Sequence, residues 1–158
     1  MREDKGVSQY PDANSTMRLT YGTVGGSTPK DAVQYSYFST TKGILEKEDP
    51  EDYEFKIAPT LKEALERGDW GRWGEDGALS VNFMSNNDIT GGNSGSAVLN
   101  GKGELIGLAF DGNRESMAGD IYYVAEYNKC VNVDIRYVLW VMDKYVGAQV
   151  LLDEMNIR

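Results

Sequence analysis

Histidine is absent from this chain of 158 residues. Any mechanism that needs an imidazole as general base or metal ligand must therefore draw it from another chain or from further sequence. Cysteine occurs once, at Cys130, which excludes an internal disulfide and a structural zinc site built from Cys and His. No apolar run approaches the roughly 18 residues that span a bilayer. Met1 leads into Arg2-Glu3-Asp4-Lys5 rather than an apolar stretch, so no signal peptide is read in this chain. Positive charge is also scarce: 16 Lys plus Arg against 25 Asp plus Glu leave a net charge of -9. Phosphate backbones and anionic lipid are repelled by such a balance, so neither nucleic acid nor membrane is an expected partner. No residue pattern calls for a cofactor or a metal.

What is present suits one soluble domain. Hydrophobic residues make up 41% and charged residues 26%, ordinary values for a globular chain, and a chain of this length buries roughly 68 to 70% of its unfolded surface. Residues 1–15 are polar and read as a tail or lead-in loop, with the fold over 16–158. Met17 to Val24 alternates and is rich in β-formers, so a strand is expected there. Asp31 to Thr41 reads as a second β stretch, which Gly43 to Glu48 either extends or ends in a helical turn. Glu46 to Tyr53 is an acidic loop. Thr60 as N-cap, apolar spacing from Leu61 to Arg67 and Gly68 as stop predict a helix. Trp70 and Trp73, set among glycines, form a packed aromatic lid or, alternatively, a substrate wall.

Strands follow at Leu79 to Met84, at Ala97 to Leu99 and Glu104 to Phe110 as a hairpin about Asn100-Gly101, at Ile121 to Val124 and at Cys130 to Val133. Alternation around Cys130 makes it a small buried strand residue, with a reactive thiol as the alternative. Ile135, Val138, Leu139, Met142, Tyr145 and Val146 recur at helical spacing, so the chain ends in helix.

The chemistry concentrates in Thr90-Gly91-Gly92-Asn93-Ser94-Gly95-Ser96. A serine becomes a nucleophile when it stands on a tight, glycine-permitted turn whose amides point where a carbonyl oxygen acquires charge. Gly92 and Gly95 flank Ser94 as that arrangement needs, with Asn93 and Ser96 framing it. A glycine-rich hairpin loop that merely turns the chain fits the same residues equally well. Downstream, the hairpin ends in Phe110-Asp111-Gly112-Asn113.

Together with Leu19 to Gly25, Gly103 to Asn113 and Val133 to Leu139, this loop resembles the C-terminal part of bacterial dipeptidyl-peptidases of serine peptidase family 46. The likeness runs from about Tyr10 to the end, its four motifs standing in the same order. The resemblance implies a mostly β fold, the second chymotrypsin-like β-barrel of a double-barrel peptidase with C-terminal helices. It also implies a missing N-terminal barrel and helical domain as partners, which hold the catalytic His and Asp. By the same resemblance Ser94 is the nucleophile, the amides of Gly92 and Ser94 form the oxyanion hole, and Phe110 and Asp111 bind substrate, Asp111 pairing with the peptide α-amino group. A solvated turn aspartate is the plain alternative for Asp111. Gly112 matches the dipeptidyl-peptidase 7 type rather than the arginine of the dipeptidyl-peptidase 11 type, which implies an open, uncharged pocket and an apolar penultimate residue.

Arg114 departs from the aromatic expected there; it either reaches the pocket or pairs with Glu115 or Asp120 on the surface. The implied activity is a serine exopeptidase releasing dipeptides from peptide N-termini in the periplasm or cell envelope, with this chain alone inert for want of a histidine. Two other readings stand beside it: a barrel acting as a peptide-binding or interaction module, and a Ser-Lys dyad using Lys102, Lys129 or another lysine. An apolar face turned toward the missing barrel implies self-association, a homodimer among its forms, or limited solubility of the isolated chain.

Overall fold

The structure, a computed structural model, describes residues 17–117, 123–124 and 126–157. The tail over 1–15 and the first half of the strand expected at Ile121 to Val124 lie outside them; Tyr123 and Val124 belong to no strand. A small antiparallel pair comes first, β1 (Ser27–Lys30) against β2 (Val33–Tyr35). The main sheet contains β3 (Phe38–Thr40), β4 (Ser80–Ser85), β5 (Ala97–Leu99), β6 (Leu105–Gly112) and β7 (Cys130–Asp134). Its order is β3-β4-β7-β6-β5, antiparallel throughout. The last strand in sequence thus occupies the centre. Cys130, Asn132 and Asp134 are its buried alternate positions, in keeping with Cys130 as a buried strand residue.

The mostly β class with helices at the C-terminal end is as expected, but the sheet stays open and no barrel closes among the described residues. Its edges are β3 and β5, three residues each. Closure needs a continuous staggered ladder between edges, and strands this short present too few free backbone groups to build one.

The strand expected at Met17 to Val24 does not form. This segment runs extended beside the end of β4, joined by a single bridge from Val24 to Ser85 and by Asn86 N–H donating to Thr23 O at 3.1 Å. Met17, Leu19 and Tyr21 are 92%, 81% and 89% exposed. β-propensity rests largely on packing against a covered face, and here the alternation has no covered face to meet.

Helices close the fold on one side. Residues Thr41–Glu46 form α1, so the open choice after β3 resolves to helix, and Pro59–Arg67 form α2. The N-cap of α2 is Ala58 with Pro59 opening the helix, not Thr60. Proline supplies the helical φ and lacks the N–H a cap would satisfy, which frees the Thr60 hydroxyl to pair with Tyr145 OH at 3.0 Å. The C-terminal helix α3 (Ile135–Trp140) runs into a π turn over Val141–Tyr145, and α4 (Gln149–Asp153) follows.

Ala64, Leu65, Trp73, Leu79, Leu139, Trp140 and Leu152 form the core between these helices and the start of β4. The tryptophan pair behaves as a packed lid: Trp73 is buried and Trp70 packs on Trp140 at 5.5 Å between ring centroids. Each indole N–H has an acceptor, Gly77 O for Trp70, Asp143 Oδ2 for Trp73 and Asp69 O for Trp140. Buried indoles are stable when that single donor is satisfied. No helix among the described residues is long and apolar enough to cross a membrane.

The β5-β6 hairpin is as expected, but its turn is longer than Asn100-Gly101. Asn100 Oδ1 accepts from Lys102 N at 2.9 Å and Glu104 N at 3.1 Å, and positive φ falls at Gly103 instead of Gly101. An asparagine side chain that mimics a backbone turn makes the two-residue turn unnecessary.

Candidate active site

The loop between β4 and β5 is held from three sides. Asn93 braces it from within: its Oδ1 accepts from Thr90 N at 3.0 Å, its N–H donates to Thr90 O at 3.2 Å, and its own carbonyl accepts from Ser96 N at 2.9 Å. The N-terminal segment adds a second grip through Arg18 Nη2, which donates to Asn93 Oδ1 at 2.6 Å. Strand β6 anchors the far side, Gly95 N donating to Ala109 O at 2.7 Å and Ala109 N to Ser96 O at 2.8 Å.

Positive φ values of 95° at Gly92 and 83° at Gly95 bracket Ser94, conformations that glycine reaches without a steric penalty. The consequence is visible in the amides. Among the described residues, the N–H groups of Asn93, Gly95 and Ser96 are hydrogen-bonded, whereas those of Gly92 and Ser94 have no partner and stand in an exposed turn. Two such amides separated by one residue can converge on a single oxygen and stabilise negative charge there. The exposed Ser94 Oγ faces Phe110 O at 3.4 Å.

Opposite the loop, β6 carries a bulge. Ala109 pairs with Asn132 but Asp111 with Val131, so Phe110 is the extra residue. Bulges re-aim the side chains around them; Phe110 is 63% exposed and Asp111 is exposed beside it. Asp111 Oδ1 accepts from the amide of Gly112 at 2.7 Å, which orients the carboxylate. Beneath the bulge lies a buried polar row. Asn132 Nδ2 donates to Ser85 Oγ at 3.0 Å and to Phe83 O at 3.3 Å, and Cys130 Sγ donates to Asn132 Oδ1 at 3.1 Å. Burial pushes the Cys130 thiol up to about 11, against a smaller lowering pull from the Phe110 backbone. A thiol so protonated and enclosed is a poor nucleophile.

Ser94, Phe110, Asp111 and Gly112 line one cavity of about 260 Å³. Its other walls include Asp88, Tyr123 and Lys129. The Tyr123 hydroxyl is raised above the ordinary phenol value by burial and then by the Asp88 charge, and it donates to Asn86 O at 2.5 Å. Arg114 does not line this cavity; it sits with Lys30, Tyr35 and Glu115 in a separate depression. Lys102 is likewise away from the site, in the hairpin turn beside Arg72 and Met155. Among the described residues no group of three or more His, Cys, Asp or Glu could hold a metal ion.

Sequence reasoning found the loop, Asp111 and Gly112 but not the Asn93 brace to Arg18, the bulge at Phe110, or Ser116, which also lines the cavity. Only the glycine cluster carried a local signal. The bulge exists solely as a mismatch of register between two distant strands.

Comparison with known proteins bears on the whole chain. It matches Peptidase S46 over residues 1–157. It is 54% identical over 148 residues to the dipeptidyl-peptidase 7 of Phocaeicola vulgatus, covering 93% of this chain and 20% of that protein. It is 52% identical over 155 residues to the Asp/Glu-specific dipeptidyl-peptidase of Porphyromonas gingivalis, covering 98% of this chain and 22% of that protein. Among solved structures it is similar to Porphyromonas endodontalis DPP11 in complex with the dipeptide Arg-Asp, with a TM-score of 0.90 and 45% identity over 99% of this chain and 23% of that one. The chain spans about a fifth of the length of the curated relatives it matches. Both specificity types stand among its relatives at similar identity, so identity alone does not separate them. A match over nearly every residue, with the fold preserved, gives the conclusion: the chain belongs to the peptidase S46 family.

Proposed function

We propose that this chain is the nucleophile-bearing part of a serine dipeptidyl-peptidase that releases dipeptides from peptide N-termini and prefers an apolar penultimate residue. The observation that carries the reading is the pair of unpartnered amides at Gly92 and Ser94, beside an exposed hydroxyl and in one cavity with Asp111. In this mechanism Ser94 Oγ attacks the second carbonyl of the peptide, losing its proton to an imidazole supplied from outside this chain. The two amides stabilise the resulting oxyanion. Asp111 pairs with the free α-amino group through the carboxylate oxygen not held by Gly112, which fixes the cleavage point two residues from the N-terminus. Gly112 places no charge in the pocket. By family resemblance the enzyme works in the periplasm or cell envelope.

The test is a chimera in which this chain replaces the matching stretch of the Phocaeicola vulgatus dipeptidyl-peptidase 7, assayed on paired fluorogenic dipeptidyl substrates with an apolar or an acidic penultimate residue. The chimera is expected to favour the apolar substrate, its Ser94→Ala variant to lose about ten-thousand-fold or more in kcat, and this chain alone to be silent. Retained activity in the Ser94→Ala chimera would sink the assignment. The absence of histidine favours a second reading, a peptide-binding module; an inert chimera together with dipeptide binding by the chain would support it.

A further inference from the structure

We infer that Ser116 is a specificity-determining residue: it fills the space that Gly112 leaves beside the cavity and presents an acceptor oxygen there, which favours apolar or hydrogen-bond-donating penultimate side chains over carboxylates. The inference rests on the dipeptide-binding reading above. Gly112 ends β6 and is half-buried. Directly after it Asn113 is clamped to the segment that leads into β7, its N–H donating to Lys129 O at 2.9 Å, its Oδ1 accepting from Lys129 N at 2.9 Å and its Nδ2 donating to Tyr127 O at 2.8 Å. That clamp forces Arg114–Ser116 into a single 3-10 turn, closed by Ser116 N donating to Asn113 O at 3.0 Å. The turn folds the Ser116 side chain back over Gly112. A Cβ placed on Gly112 would collide with Ser116 Oγ.

Two consequences follow. Residue 112 has no room for a side chain while Ser116 holds this position, so the two residues form one steric unit. The chemistry of the wall is then that of the serine hydroxyl. Its proton is directed to Asn113 O at 2.7 Å, which leaves oxygen lone pairs for whatever lies alongside. Asp88, Asp111 and Lys129 are the charged residues among the described lining; with Asp111 paired to the substrate ammonium, Asp88 balances Lys129 and no surplus positive charge is left for a penultimate carboxylate. A penultimate Asp or Glu against the Ser116 wall would meet an acceptor with no surplus positive charge to offset it, and desolvating a carboxylate without that compensation is costly. An apolar side chain, or one that donates a hydrogen bond, avoids that penalty.

The experiment titrates the isotope-labelled chain with the dipeptides Val-Leu and Val-Glu, followed by amide chemical shifts of the loop and of β6. Wild type, Gly112→Ala, Ser116→Gly and the double variant are compared. Wild type is expected to bind Val-Leu about tenfold or more tightly than Val-Glu. Gly112→Ala is expected to weaken Val-Leu binding about tenfold, and adding Ser116→Gly to restore it to within about threefold of wild type, a coupling that neighbouring residues show and distant ones do not. Ser116→Gly alone is expected to shrink the Leu-to-Glu ratio about threefold, and it carries the test by itself if Gly112→Ala loses the dispersed spectrum of a folded chain. A double variant no better than Gly112→Ala, or a ratio unmoved by Ser116→Gly, overturns the role of Ser116 while leaving the dipeptide site standing. Absence of binding by the wild-type chain to either dipeptide overturns the site reading itself, and this inference with it.

Discussion

The junction between β7 and α3 depends on one aspartate, and replacing it offers a quantitative test of how the sheet is tied to its helices. Asp134 is 5% exposed at the end of the central strand and caps α3, its Oδ1 accepting from Arg136 N at 2.9 Å and Arg136 Nε at 3.0 Å while Oδ2 accepts from Nη2 at 2.8 Å. Arg136 reaches on to Glu75 at 2.7 Å, and these carboxylates, Asp134 first, hold its proton more tightly than usual. Asp134→Ala removes the cap, about 1 kcal/mol. It also removes an ion pair whose guanidinium is 39% exposed, so solvent screening limits that part to about 0.5–1 kcal/mol. The sum is about 1.5–2 kcal/mol. Asp134→Asn keeps an oxygen for Arg136 N and loses only the charge, so about 0.5–1 kcal/mol is expected. In urea unfolding, with a slope of about 2 kcal/mol/M, the alanine variant should shift the midpoint down by about 1 M and the asparagine variant by less than half of that. Equal losses in the two variants would show that charge, not capping, holds the junction. Midpoints unchanged in both would refute the reasoning altogether.

Three further predictions concern the row beneath the bulge. Asn132, 1% exposed and bonded to Ser85, Phe83 O and Cys130, is expected to cost about 2–3 kcal/mol as Asn132→Leu, because Ser85 Oγ is left buried without its donor; urea unfolding of Asn132→Leu against the double variant Asn132→Leu/Ser85→Ala checks this, the second substitution recovering part of the loss. Cys130 is expected to react with a thiol reagent only as fast as the chain unfolds. Its folded value of about 11 lies above the ordinary value of 9.0, so the stability it contributes is fully present below about pH 9 and lost as pH rises toward 11. A Cys130→Ala variant should therefore lose less stability than wild type between those values, measured as the difference in unfolding midpoint across the window.

The legible part of this fold was what local chemistry decides. The alternation of Leu79 to Met84 and of Cys130 to Val133 became β4 and β7, and the glycine after Arg67 ended α2 in the left-handed conformation. Met17 to Val24 carried the same alternation and stayed outside the sheet apart from the bridge at Val24, because alternation states only that two faces differ and not that either will be covered. Thr60 missed its cap for a related reason: a proline one residue earlier had already set the helix start. At the site, Ser94 and its flanking glycines were readable since a turn demanding positive φ leaves its mark in composition.

What the sequence withheld were relations between distant segments. Arg18 meets Asn93 across 75 positions, and the bulge at Phe110 is a property of how β6 registers against β7 rather than of either strand. The open sheet follows the same logic. A strand's tendency to pair is local, but closure needs two edges long enough to meet, and here both edges are three residues long. The loop with its free amides is nonetheless braced by Asn93 inside, Arg18 on one side and Ala109 on the other. On the function proposed above, that bracing organises the oxyanion-stabilising half of the site ahead of the base. Since preorganised donors cost no rearrangement when charge develops, the contribution to catalysis that the proposed function assigns to this chain is held geometry, with the base for Ser94 supplied from outside it.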